Sequence, residues 1–101
     1  MEQEKIYGIP SEIWKGIIDE VKRAESKFPE WPTDMIHAAA IVVEEAGELS
    51  QAALKWTYEG GDAEAAGKEA TQVAVTAIRF LKAFISVHYQ PKPCFDIINQ
   101  Q

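Results

Sequence analysis

The sequence predicts an all-α protein: an antiparallel helical bundle, built on a long helix hairpin plus an N-terminal helix, with a four-helix-bundle-like core completed by oligomerisation. Three observations carry that expectation. Apolar residues recur three and four apart through three long segments; prolines and the paired glycines fall between those segments; and no run alternates with a period of two between turn residues. At 101 residues the chain is a single domain. With 47% hydrophobic and 26% charged residues, it has a globular composition and no internal repeats.

The first helix is expected over about residues 10–27. Pro10 suits a first turn, where its missing N–H has no intrahelical partner, and Ile13, Ile17, Ile18 and Val21 follow at helical spacing between charged residues. Phe28, Pro29, Glu30, Trp31 and Pro32 then make a stiff loop, because each proline lacks a donor and disfavours helix in the residue before it. The second helix is expected over about 33–58, with Thr33 as N-cap and Asp34 as a first-turn anion. Gly60 and Gly61 end it. Asp62 caps a third helix over about 62–88, which Pro91 and Pro93 stop, and residues 89–101 carry no clear pattern. The short connection makes helices two and three a hairpin, with helix one packed across it. Their many alanines allow close approach, yet three such helices bury little area, which favours self-association.

A net charge of −6 argues against sequence-independent binding to nucleic acid or to an anionic membrane. Cys94 is the only cysteine, which excludes an intramolecular disulfide and a cysteine-based zinc site and suits a reducing cytoplasm. The opening MEQEKIYGIP lacks the basic and apolar regions of a signal peptide, and no run reaches the roughly 18 apolar residues of a membrane span. A cytoplasmic protein is therefore expected.

The acidic residues are the informative ones. On helix two, Ala39, Val42, Ala46, Leu49, Ala53 and Trp56 form the expected core seam. The neighbouring stripe, Ala38, Ile41, Glu45, Glu48, Ala52 and Lys55, is apolar but for two carboxylates and its terminal lysine, while Glu44 falls on a more exposed row. On helix three the expected seam is Ala70, Ala74, Ala77, Leu81 and Phe84. Beside it, Glu69 alone is charged in the row of Ala66, Val73, Thr76, Phe80 and Val87. Buried carboxylates without compensation are too costly to keep ionised. Either Arg79, Lys55, Lys68 and Lys82 offset them, or a hard divalent cation does, Mg²⁺ being the natural fit for a few carboxylates plus substrate phosphate oxygens. Glutamates at i, i+1 and i+4 are also common on solvated helix faces, and that simpler reading stands beside the metal one. Trp14 and Trp56 read as core or interface residues, and His37, His88 and Cys94 have no partners at ligand spacing.

The run Glu44, Glu45, Ala46, Gly47, Glu48, Leu49, late in an Ala-rich helix and followed after a turn by Glu69, resembles the MazG-like all-α nucleoside triphosphate pyrophosphohydrolases, whose signature is EExxE, a gap, then ExxD. The resemblance spans about residues 28–84 and includes the Trp-containing loop. It implies a homodimer or homotetramer that uses Mg²⁺ to cleave a nucleoside triphosphate into monophosphate and pyrophosphate, in a house-cleaning role toward noncanonical nucleotides. By position, Glu45, Glu48 and Glu69 match metal ligands and Glu44 matches the leading glutamate. Gln72 stands where the family has aspartate, giving a neutral oxygen donor in place of an anionic one. Glu44 or Glu48 then orients the attacking water or takes its proton. Arg79, Lys55, Lys68 and Lys82 are the candidates for substrate phosphate, with Arg79 foremost because guanidinium binds phosphate bidentately. Trp31 is the candidate for base stacking, or equally a lid on the core. The alternative is a nucleotide-binding or oligomerisation module of the same fold with weakened chemistry.

Overall fold

A computed structural model describes residues 5–87 of the chain. Its elements are two two-residue strands, β1 (Lys5–Ile6) and β2 (Ile9–Pro10), and three helices, α1 (Ser11–Lys27), α2 (Met35–Tyr58) and α3 (Ala63–Val87). The all-α class holds for the body of the protein. The expected helix end near His88, the stop at Pro91 and Pro93, Cys94 and the segment 89–101 lie outside the described residues.

The N-terminal hairpin departs from expectation. β1 and β2 pair antiparallel, Lys5 with Pro10 and Ile6 with Ile9, around a turn in which Tyr7 (φ 54°) and Gly8 (φ 76°) are both left-handed. Pro10 is consequently not in the first turn: its ψ of 149° keeps it extended, and the helix starts at Ser11. The N-cap of α2 is also corrected, by one residue. Asp34, not Thr33, caps it, its carboxylate accepting a hydrogen bond of 3.0 Å from the His37 N–H. A carboxylate placed there also meets the positive end of the helix dipole. At the other end the Lys55 carbonyl accepts from both Glu59 and Gly61, with Gly60 at φ 78° reversing the chain. Gly61 lies so close to that carbonyl that a Cβ would sit 3.1 to 3.3 Å from Lys55 atoms. Asp62 caps α3 as expected, accepting from the Ala65 N–H at 2.7 Å.

α3 is the central element, packed by α2 on one side and α1 on another. The side chains shared between α2 and α3 advance in opposite directions, Glu48 and Ala52 meeting Glu69 and Ala65 while Ala39 and Val42 meet Phe80 and Ala77. α1 does not lie across the hairpin. Its contacts run from Glu20 with Gln72 to Glu25 with Lys82, so it is parallel to α3 and packs along it.

The inward arc of α2 takes in Val42, Leu49 and Ala53 of the expected seam, all half-buried, and extends onto the neighbouring stripe. Ala38 is fully buried and Ile41, Glu45 and Ala52 are half-buried, whereas Ala39 and Ala46 are exposed and Trp56 is 52% exposed. On α3 likewise Ala70 and Leu81 are exposed, while Ala66, Val75, Thr76 and Arg79 are buried. The buried alanines Ala38 and Ala66 lie on the stripes that carry Glu45 and Glu69, so those stripes take part in the packing. Along the far end of the hairpin, Val42, Val43, Phe80 and Leu81 line an open apolar groove, with Val43 67% exposed. No described helix is long and apolar enough to cross a membrane.

Replacing Asp34 with Ala should lower stability by about 1 kcal/mol, a fall in Tm of about 4–8 °C for a domain of this size, measured by circular dichroism. Thr33→Ala should leave Tm nearly unchanged; equal losses for the two variants would contradict the assignment of the cap.

Candidate functional site

The α2–α3 contact brings three carboxylates together. Glu45 and Glu48, one turn apart on α2, and Glu69 on α3 each place a carboxylate oxygen within 4.8 Å of the other two. Glu45 and Glu69 are half-buried and Glu48 is exposed. The described ion pairs are Arg23 with Glu20 and Lys82 with Glu25, so among the described residues none of the three is neutralised by a lysine or arginine. Burial first, then the charges of Glu48, Glu69 and Glu44, push the Glu45 carboxyl above its usual 4.5. Glu44 itself is exposed on the outer side of α2.

Two cavities flank the cluster. One, of about 380 Å³, lies toward the α2–α3 turn and is lined by Glu48, Glu69, Lys55, Gln51 and Asp62. The other, of about 270 Å³, lies toward the Pro-bounded loop and is lined by Glu45, Gln72, Thr76, Arg79 and Trp31 among others. The donor set, hard anionic oxygens at short mutual range with no ion pair to a lysine or arginine among the described residues, is of the kind that fits a hard divalent cation such as Mg²⁺.

The remaining expected residues divide. Lys55 lines the first cavity and Lys68 is exposed on α3 beside Glu69 in sequence. Lys82 is drawn to α1, donating to Glu25 at 2.7 Å. Arg79 is 8% exposed, donates to the Phe28 carbonyl and sets its guanidinium 5.0 Å from the centre of the Trp31 ring. It ties the Pro-bounded loop to α3 and covers one face of the indole. The Trp31 N–H is buried with no hydrogen-bond partner among the described residues. His37 is exposed near Asp34, and Trp14 is half-buried on α1.

Gln72 is held by a residue that the sequence reading passed over. Its Nε2 donates to Glu20 Oε2 on α1 at 2.7 Å, and the same oxygen accepts from Arg23 at 2.5 Å. These bonds, Arg23 first and Gln72 second, bring the Glu20 carboxyl down from 4.5 to about 2. The signal was present: Ile13, Ile17, Glu20 and Ala24 share one face of α1, and Glu20 interrupts that face as Glu45 interrupts its own.

Compared with protein-family models, with curated proteins and with solved structures, the chain matches none of them.

The two perturbed carboxyls act on stability with opposite sign. Glu20, depressed, contributes stability that is present above pH 4.5 and lost as pH falls toward 2. Glu45, raised, imposes a destabilisation that is absent below 4.5 and grows as pH rises through its folded value. In chelator, therefore, Glu45→Gln should melt higher than the unaltered protein at pH 7–8, and the advantage should shrink on acidification through the range. Melting curves of the two proteins from pH 4 to 8 that stay parallel would contradict this.

Proposed function

We propose that this protein is a Mg²⁺-dependent nucleoside triphosphate pyrophosphohydrolase of the MazG-like kind, converting substrate and water into nucleoside monophosphate and pyrophosphate. The observation that carries the reading is the convergence of Glu45, Glu48 and Glu69 within 4.8 Å with no lysine or arginine paired to them among the described residues. Bound there, the ion would neutralise charge that builds on the phosphoryl oxygens.

The protein's own groups have separable tasks in this reading. Glu45, Glu48 and Glu69 hold the ion, with the Gln72 carbonyl as a neutral fourth donor. Glu48, which lines the open cavity, or Glu44, exposed one residue before Glu45, orients the water and accepts its proton as the phosphoanhydride bond breaks. Lys55, which shares that cavity with Glu48 and Glu69, is the best-placed cation for the triphosphate, with Lys68 nearby. The cavity beside Trp31 takes the nucleoside; because Arg79 covers one face of the indole, a base stacks on the other. House-cleaning of noncanonical nucleotides in the cytoplasm is the accompanying role.

Self-association belongs to the same reading. The groove of Val42, Val43, Phe80 and Leu81 leaves apolar side chains open to water, and pairing with the same groove of another copy would complete a four-helix core in a homodimer or homotetramer. One observation favours a second reading, a nucleotide-binding or oligomerisation module of weakened chemistry: Gln72 occupies the family's aspartate position and is engaged by Glu20.

Incubation with common and modified nucleoside triphosphates should release pyrophosphate only when Mg²⁺ is present. Glu48→Ala should cut the rate by about 100-fold or more while leaving the helical circular-dichroism signal intact. No turnover of any nucleotide would overturn the enzymatic reading, and a large gain in rate from Gln72→Asp would favour the weakened module.

A further inference from the structure

The titratable residues of α2 before its final tyrosine are His37, Glu44, Glu45, Glu48 and Lys55, and at 100° per residue they fall within about 100° of the helix circumference. Outside that arc, Ile36, Ala39, Val43, Ala46, Ser50, Ala53 and Thr57 recur three and four apart without a break. This is a heptad seam, with Ile36, Val43, Ser50 and Thr57 in one of its two positions and three alanines in the other. Six of the seven are exposed, Ile36 to 79%, and Ala53 is half-buried. Ala40, Gly47 and Leu54, along the outer edge of the seam, are exposed and uncharged as well. α1 meets water quite differently, through Glu12, Lys15, Asp19 and Lys22, as the outer face of a surface helix does. A period of 3.5 residues kept over three heptads is the pattern by which one helix faces another along its length.

We propose that this exposed seam of α2 is an interface with a second copy of the chain, the two α2 helices packing antiparallel with Val43 of each copy against Ala46 of the other. The proposal deepens the self-association part of the proposed function and is independent of its enzymatic part. Self-complementarity selects the second copy as occupant. In this register Ile36 meets Ala53 and Ala39 meets Ser50 of the other copy, so every layer sets a larger side chain against a smaller one. A parallel pair would instead set isoleucine on isoleucine and alanine on alanine, crowding some layers and leaving gaps in others. The antiparallel arrangement is a closed two-fold, and it opposes the two helix dipoles. Because the seam carries no charge, it offers nothing to a charged partner surface. Its extent also fits: α2 is about 36 Å long and a helix about 10 Å across, so the seam supplies on the order of 400 Å². Ala39 and Val43 also line the groove against Phe80 and Leu81, so a helix laid on the seam covers the groove too and brings the area toward the roughly 800 Å² per partner of a stable interface.

The test is sedimentation equilibrium of the full chain, with native mass spectrometry of mixed variants. The unaltered protein should sediment as a dimer or a multiple of it. Ala46→Glu, which lies outside the groove, puts a carboxylate into each of two dry layers and should raise the dissociation constant about 100-fold or more. Its position is exposed and glutamate is a good helix former, so the circular-dichroism signal should not change. Val43→Lys alone should dissociate likewise. An equimolar mixture of Ala46→Glu with Val43→Lys should recover a dimer holding one chain of each, because the new charges then meet in a single layer. A mixture of Ala46→Glu with Ala46→Lys should not. Recovery by the second mixture and not the first would overturn the antiparallel register. If the unaltered protein associates and Ala46→Glu leaves it associated while Leu81→Glu disperses it, the seam is overturned and self-association through the groove stands. A monomeric unaltered protein at about 100 μM, where a stable homodimer is fully formed, overturns both.

Discussion

Three carboxylates share one side of the α2–α3 contact, and among the described residues no lysine or arginine forms an ion pair with them. Glu45 and Glu69 are partly withdrawn from water, so their repulsion is screened less than it would be on an open face. Packing forces this arrangement. Ala38 and Ala66 are buried and Ala52 is half-buried on the stripes that also carry the glutamates, so the packing of α2 on α3 brings the carboxylates together. Burial and the neighbouring carboxylates raise the Glu45 carboxyl above its usual value, which is the electrostatic cost of this arrangement. A divalent cation would compensate the three carboxylates, and that is the reading proposed for them.

The central position of α3 gives that site its surroundings. Four polar residues along it have different surroundings: Glu69 lies by the α2 carboxylates, Gln72 donates to Glu20 of α1, Thr76 donates to the carbonyls of its own preceding turn, and Arg79 meets the Phe28 carbonyl and the Trp31 ring. A single helix face thus joins the cluster to α1 and to the Pro-bounded loop. The two cavities open on opposite sides of the cluster, one bearing Lys55 and the other Trp31, which suits a ligand with an anionic end and an aromatic end.

Much of this was legible in the sequence, and the failures have identifiable causes. The helix limits follow from residues with strong local preferences: Asp62 as a cap, Gly60 in the left-handed region, the prolines around Trp31. Thr33 and Asp34 are both good caps and adjacent, so only the backbone path decides between them. The strands at Lys5–Ile6 and Ile9–Pro10 are too short for any periodicity, and their turn puts a tyrosine at positive φ, where composition gives no warning. The packed face of α2 is wider than the expected seam, because alanine carries a weak hydrophobic signal and two adjacent stripes containing it look alike in the sequence. Glutamates in an apolar row pointed to the three carboxylates that the fold brings together, and the same test applied to α1 finds Glu20. What spacing could not reveal is that Arg79 is already engaged by a carbonyl and an indole.

The central claim is that a divalent cation compensates Glu45, Glu48 and Glu69. The most direct measurement is an anomalous difference map from crystals soaked in Mn²⁺. The account predicts a peak between the three carboxylates, within about 2.0–2.6 Å of their oxygens, the range of hard oxygen coordination. Carboxylates turned outward into solvent, with no anomalous density among them, would contradict it.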